Sequence, residues 1–416
     1  MKVLLKQVKV FSENSPFHLR SADILIKDGK IESIENEIDS IGGIMEISQP
    51  GLCVSAGWVD VFADFAGPGF EYRETIESGA RAAAAGGFTA VMVLASPYAG
   101  SGSSAIEYLL RKDVPVTIYP IGSITAKSEG KVLAEMYDMH AAGAIAFSEG
   151  AKGLRDPGIM LKALQYVLPV NSRLIQVPGD QALNPQGLVN EGLHSTKLGL
   201  PGIPALSEEL MISRDIELVR YTGSQLHITG VSTKKGINHI RKAKEDGLKI
   251  TCSVTPYHLT FTDADLASYD TNLKVYPPLR TPADVAALVE AIEEGLIDCV
   301  ASHHIPWHSD EKDCEFEYAR FGMAGVQTVF GAVGKKVTDP EKLVKLLTNG
   351  RRIFGLPIPK IQKGEPADLT LFNPAETYTF AVDQNRSLSA NNVFIDTELR
   401  GRVYGTIHQN QILLSQ

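Results

Sequence analysis

The densest group of chemically capable side chains in this 416-residue sequence is Ser302-His303-His304-Ile305-Pro306-Trp307-His308, with Asp310 two residues on. Imidazoles and carboxylates are the donors that hold zinc, provided three or four of them converge. Asp64 and Glu149 are the best carboxylates to complete such a set, because each ends an apolar run that reads as a strand. The competing reading is a polar loop whose histidines hydrogen-bond locally. His227, inside the apolar run Gln225 to Thr229, reads as a satisfied core histidine, and His258 beside Tyr257 reads as a packing residue. Cys252 and Cys299 fall within predicted strands and read as small buried hydrophobes, not nucleophiles. Trp307 and Tyr276 either fill space near the histidines or line an apolar ligand pocket.

The elements that must position these groups alternate strand and helix. Short apolar runs begin at Val59, Phe88, Val114, Ala144, Arg173, Gln225, Leu248 and Asp298. Helical patterns lie between them at Ile76–Ala85, Lys127–Ala142, Met160–Val167, Ser207–Tyr221, Lys234–Glu245 and Pro282–Gly295. Near-continuous apolar strands joined by helices predict a parallel sheet covered on both faces. Eight of them predict a (β/α)8 barrel with its function at the C-terminal strand ends. An open doubly wound sheet is the alternative, but no G-x-G-x-x-G follows the first strand. Gly100-Ser101-Gly102-Ser103-Ser104 reads as a loop.

Both ends of the chain read as β. Val3 to Val10, Asp23 to Lys27 and Lys30 to Ile34 alternate polar and apolar residues, with Asp28-Gly29 as a hairpin turn. Ala367 to Phe372, Ser387 to Val393 and Arg402 to Ile407 have the same character. The expected division is therefore a composite β-sandwich domain from residues 1–55 and 365–416 around a barrel at 56–364.

Composition narrows the function. A net charge of −9 without basic clusters argues against a nucleic-acid partner. No run of 18 apolar residues exists, so no membrane span is expected. Four scattered cysteines and an N-terminus unlike a signal peptide point to a reducing, cytoplasmic setting.

Several stretches then carry a resemblance. They are Gly67-Pro68-Gly69-Phe70-Glu71 with Glu74-Thr75-Ile76-Glu77, Gly86-Gly87-Phe88-Thr89, Asn190-Glu191-Gly192, Leu198 to Pro204, Arg214 to Leu218, Thr255 to Leu259, Tyr269 to Asn272, Pro277 to Arg280, and Gly364 to Leu369. In this order they resemble the dihydroorotase family of the amidohydrolase superfamily, with allantoinases and dihydropyrimidinases as close relatives. The resemblance covers nearly the whole chain. It implies a (β/α)8 barrel, zinc as cofactor, and reversible cyclisation of carbamoyl aspartate in pyrimidine biosynthesis.

The chemical positions depart from that pattern. Where the family has H-x-H after strand one, this chain has Phe62-Ala63-Asp64, and the substrate arginine two residues on is Ala66. The substrate asparagine after strand two is replaced within Leu94-Ala95-Ser96. Glu149, in Ser148-Glu149-Gly150, keeps a carboxylate where the family has its bridging ligand. Val177 and Gly230 stand at the histidine ligands after strands five and six, His303 at the catalytic aspartate, and Tyr276 at a further asparagine. Valine, glycine and phenylalanine bind no zinc, and without the metal water keeps its bulk pKa of roughly 15.7. The expectation is a catalytically inactive family member with no cofactor and a binding or scaffolding role. The resemblance also implies partners: inactive dihydroorotase homologues assemble with aspartate transcarbamoylase and inactive dihydropyrimidinase-like proteins form oligomers, so a homo-oligomer, or a complex with aspartate transcarbamoylase or an active dihydroorotase, is expected, as is a small-molecule ligand at the barrel mouth. The alternative is an active dihydroorotase or related cyclic amidohydrolase with an atypical or relocated metal site built on His303, His304 and His308.

Overall fold

A computed structural model describes residues 1–40, 42–96 and 102–415. Eight parallel strands run in sequence order: Trp58–Ala63, Phe88–Leu94, Thr117–Ser123, Ala146–Ser148, Arg173–Gln176, Leu226–Thr229, Ile250–Val254 and Cys299–Val300. The eighth strand is only two residues long, so the chain just beyond it closes the ring. Ala63 bridges to His304 in parallel, the Asp64 amide donates to the His304 carbonyl at 2.8 Å, and the Ser302 amide donates to Asp60 at 2.8 Å. The result is the (β/α)8 barrel that the alternation of apolar runs predicted.

The helices form where capping and periodicity agree. Ile76–Ala85 starts at a Thr75–Ser78 capping box and buries its small Ala and Gly face. Lys234–Glu245 and Pro282–Glu293 are capped by Thr233 and Thr281, and each buries one apolar stripe. The predicted helix over Lys127–Ala142 is much shorter, at Met136–Ala141. Lys127, Ser128 and Gly130 all take positive φ, and Thr125 pairs with Leu133, so that segment folds back as a loop. Gly100 and Ser101 of the predicted loop lie outside the described residues; Gly102, Ser103 and Ser104 instead open the helix Gly102–Leu110, which buries Ala105, Ile106 and Leu109.

A second eight-stranded sheet draws on both ends of the chain. Its order is Gln411–Leu414, Glu398–His408, Leu369–Thr379, Cys53–Ala56, Lys2–Phe11, Ser21–Lys27 and Lys30–Glu35, with Met45–Ile47 added beside Lys2–Phe11. Alternate residues such as Val3, Leu5, Ile24, Ile26, Leu369 and Leu371 bury one core. Trp58, Phe330 and Phe372 join this sheet to the barrel, with Trp58 ring centroids 4.7 and 5.4 Å from the other two. The predicted strand at Ser387–Val393 does not form. Its buried residues include Ser389, Asn391 and Asn392, whose polar side chains turn to nearby backbone and hydroxyl groups instead of supporting a ladder. Among the described residues, no helix is long and apolar enough to cross a membrane.

Candidate functional site at the barrel mouth

One part of the barrel interior is an apolar cluster. Phe62 and Val177 are fully buried and Tyr276 nearly so, and they share one cluster with Val59, Met92 and Ile175. The Phe62 ring lies 4.7 Å from the His303 imidazole. Gly230 sits at φ +73°, and a Cβ there would meet His303 Cε1 at 2.6 Å. The imidazole therefore uses the space that a side chain at 230 would need. Gly179 stands in the same relation to Tyr276, whose hydroxyl would lie 2.0 Å from an added Cβ. That hydroxyl has no hydrogen-bond partner among the described residues, and burial pushes its pKa up to about 12.

His303 belongs to a buried polar chain. Its Nε2 lies 2.8 Å from the Thr229 hydroxyl, Thr229 lies 2.8 Å from the Ser253 hydroxyl, and Ser253 lies 3.0 Å from His227 Nε2. His227 Nδ1 ends the chain on the Thr251 hydroxyl at 2.9 Å. Burial lowers both imidazoles, His303 to about 3 and His227 well below its usual value, so both are neutral near pH 7. His227 is thus a satisfied core residue. His258 is another, held between the Thr255 hydroxyl and the Pro277 carbonyl at 2.9 Å each.

The histidines after strand eight do not converge. His303 turns into the barrel. His304 turns outward, with Nε2 3.4 Å from Glu74 and its ring edge-on to Phe65. His308 is half-buried and lies 3.3 Å from Asp310. Glu74 also accepts from the Leu388 amide at 3.0 Å and from the Ser78 and Ser387 hydroxyls. Burial pushes the Glu74 carboxyl up, but His304 and these hydroxyls outweigh it and hold it below the usual range. Asp64 pairs with Arg73 at 3.0 Å and accepts from the Ala66 amide at 2.7 Å. Glu149 is enclosed by the Thr125 hydroxyl and the amides of Thr125 and Gly130, at 3.1 and 3.0 Å for the amides. Burial raises its pKa despite these bonds.

Zinc needs three or more N, O or S donors about 2.0–2.3 Å from one point. Among the described residues no group of three His, Cys, Asp or Glu side chains meets that need. The residues at the barrel mouth do not fit the metal, and the relocated cluster of His303, His304 and His308 is not brought together.

What the mouth does hold is a cavity of about 400 Å³ over the ends of the first four strands. Leu94, Ser96, Ser123, Glu149 and Trp307 line it, together with four cations that sequence reasoning passed over: Arg73, Lys127, Lys152 and Arg320. No motif marked them, since each sits in a loop whose path depends on tertiary contacts. The Arg73 guanidinium carbon lies over the Trp307 ring, 4.0 Å from its centroid, and the Trp307 indole donates to the Phe321 carbonyl at 2.8 Å.

Several of the stretches that carried the resemblance hold the loops around the barrel in place. Buried Arg280 donates to Asn190 at 2.9 Å, to Ser232 at 3.0 Å and to the Ile203 carbonyl at 3.3 Å, and it faces Glu208 at 3.5 Å. Asn190 donates to Asp263 at 2.9 Å, and Glu208 accepts from the amides of Ser232 and Thr233 at 2.9 Å. Arg214 and Gln176 similarly hold buried Asp215 at 2.8 and 3.2 Å. These networks fix loops around the barrel without reaching its interior.

Comparison with known proteins agrees with this architecture. A family described as dihydro-orotase-like matches residues 51–236. The chain is 38% identical over 424 residues to a protein named Dihydroorotase from Pelotomaculum thermopropionicum, covering 100% of this chain and 99% of the relative. It is 34% identical to another of that name from Syntrophus aciditrophicus, covering 100% of both. An L-hydantoinase (dihydropyrimidinase) from Arthrobacter aurescens superposes with a TM-score of 0.84 at 23% identity, covering 100% of this chain and 98% of that one. At that identity the likeness speaks for the fold.

Proposed function

The chain belongs to the dihydroorotase-like family, and from that premise we propose that it serves as a binding or scaffolding protein without metal-dependent amidohydrolase activity. One observation carries this reading. Phe62, Val177, Tyr276 and His303 pack the barrel interior, while the remaining carboxylates are committed elsewhere, Asp64 to Arg73 and Glu149 to Thr125 and Gly130. Among the described residues no donor set supports hydroxide generation by a metal, and His303, neutral and bonded to Thr229, faces a phenylalanine. The proposed partners are further copies of the chain, aspartate transcarbamoylase, or an active dihydroorotase.

The deciding experiment measures metal content and carbamoyl aspartate cyclisation on one untagged sample prepared without chelator. Less than about a tenth of an equivalent of zinc with no turnover supports the proposal. Near-stoichiometric metal with turnover overturns it. The second reading, an active dihydroorotase with an atypical site, draws on full-length identity to proteins of that name. Turnover abolished by His303→Ala would establish it.

A further inference from the structure

We propose that Lys312 is a nucleophilic amine that takes small neutral aldehydes as imines, in a second cavity outside the Arg73–Trp307 stack. That cavity measures about 670 Å³ and shares Tyr72, Arg73 and Trp307 with the one over the strand ends, but Lys312 lines only the outer one. The proposal is independent of the metal question, and either result of the metal assay leaves it standing.

Lysines are seldom fully buried without a carboxylate, and here one loop encloses two. Lys312 is 5% exposed and Lys274 is 2% exposed. Lys312 Nζ donates to the carbonyls of Arg320 and Gly322 at 2.9 and 3.0 Å, and Lys274 Nζ to those of Phe316 and Glu317 at 2.7 and 3.0 Å. Among the described residues neither ammonium has an ion pair, and the third proton of Lys312 has no acceptor. Burial, with the Lys274 charge beside it, lowers Lys312 to about 7; Asp270 and Cys314 pull the other way by less. Burial lowers Lys274 to about 8, with Cys314, Glu317 and Arg320 facing it. Desolvation and a neighbouring cation are the devices that make a lysine a nucleophile at neutral pH. An ordinary lysine titrates near 10.4, so roughly one in 2,500 is neutral at pH 7.

The chemistry balances without a further reagent. The neutral nitrogen adds to the aldehyde carbon, and the carbonyl oxygen leaves as water with both amine protons, so a C=N bond replaces the C=O bond. Once protonated, the imine keeps one N–H for the Arg320 and Gly322 carbonyls. Tyr72 and Tyr269 give the cavity ring surface, and Asn272 and Ser309 give it groups that suit hydroxyls. Asp270 and Asp313 disfavour an anionic partner, which selects a neutral hydroxyaldehyde.

The test is brief treatment of the full chain at pH 7 with glyceraldehyde and cyanoborohydride, which reduces an imine to a stable secondary amine, followed by peptide mass spectrometry. Lys312 should be modified at least about tenfold faster than exposed Lys127 and Lys152. It should also outpace Lys274, which does not line the cavity. At pH 10 the preference should shrink as exposed lysines lose their protons. In Lys274→Met of unchanged thermal stability, labelling of Lys312 at pH 7 should slow at least about twofold and its pH profile should move upward. Lys312→Arg keeps the charge and should lose the adduct. Labelling of Lys312 no faster than Lys152 or than Lys274, or an unmoved profile in Lys274→Met, would overturn the proposal. The parent protein's labelling map decides the first two outcomes without any variant.

Discussion

His303 and His227 are joined, Nε2 to Nε2, through the hydroxyls of Thr229 and Ser253, so a histidine on the sixth strand and one just beyond the eighth form one buried hydrogen-bonded unit. Each hydroxyl both donates and accepts, so the tautomer of one ring constrains that of the other. The unit stands where Phe62 closes over His303 and where Gly230 leaves room for it.

Gly230 and His303 should therefore behave as a coupled pair. Gly230→Ala is expected to cost about 1–3 kcal/mol, from the positive φ and from contact with His303. Made in a His303→Ala background, the same change should cost less by about 0.5 kcal/mol or more, because only the backbone term remains. Urea unfolding of the four proteins of the cycle measures this. Strictly additive effects would show that the imidazole does not occupy the glycine's space.

The pH dependence of stability follows from the buried groups. Burial holds His303 and His258 at about 3, whereas an unfolded histidine titrates near 6.5. Between those values the unfolded chain binds more protons, so these residues make stability fall as pH drops from about 6.5 toward 3. Asp60 and Asp215 act oppositely. Burial raises each to about 6, so the native state holds protons that the unfolded state gives up, and stability falls as pH rises from about 4 toward 6. His303→Gln removes one histidine from the first group. Near pH 5 the variant should take up about one proton fewer on unfolding than the parent, read from the slope of stability against pH. An unchanged slope would contradict a neutral His303.

Arg280 anchors loops from several parts of the barrel, and its loss should be severe. Arg280→Ala leaves Glu208 buried without its guanidinium and is expected to destabilise the protein by about 3–5 kcal/mol. Hydrogen exchange should show the paired segments Val189–Asn190 and Gly202–Ile203 opening first, since Arg280 bonds to Asn190 and to the Ile203 carbonyl. A loss below about 1 kcal/mol would mark the network as dispensable.

Cysteine chemistry gives a quick check on burial. Cys53, Cys252 and Cys299 are buried, and burial raises their thiols, Cys53 to about 11 and Cys252 to about 12. Cys314 is partly exposed. A disulfide reagent should label one thiol quickly in the native protein and the other three only on unfolding. Fast labelling of Cys252 or Cys299 would mean that the barrel strands breathe.

The barrel was legible because each strand is a short run buried on both faces, a pattern that needs no knowledge of partners; Phe88–Leu94 matches its predicted limits. Where local pattern and tertiary demand diverged, reading failed. Ser387–Val393 alternates like a strand, but Ser387, Ser389 and Asn391 are used on Glu74, Trp307 and Gly322. The histidine run after strand eight left a ligand cluster open as the alternative to a polar loop, because spacing says nothing about direction. Closure of the ring at His304 turns that side chain toward Glu74 and leaves its neighbour facing inward. Lys127 and Lys152 were missed for the converse reason: nothing local distinguishes a lysine that borders a cavity from one in solvent.

Glu74 waits a long time for its partners during synthesis. Ser387, which donates to it, follows 313 residues later in the chain. On the ribosome, the first helix and most of the barrel emerge while that carboxylate, later buried, still lacks the Ser387 hydroxyl and the Leu388 amide. The barrel mouth is therefore finished last, by the same stretch of chain that precedes the closing strands of the terminal sheet. A nascent chain stalled before Ser387 should expose the region around Glu74 and His304 to chaperones, however complete its strands.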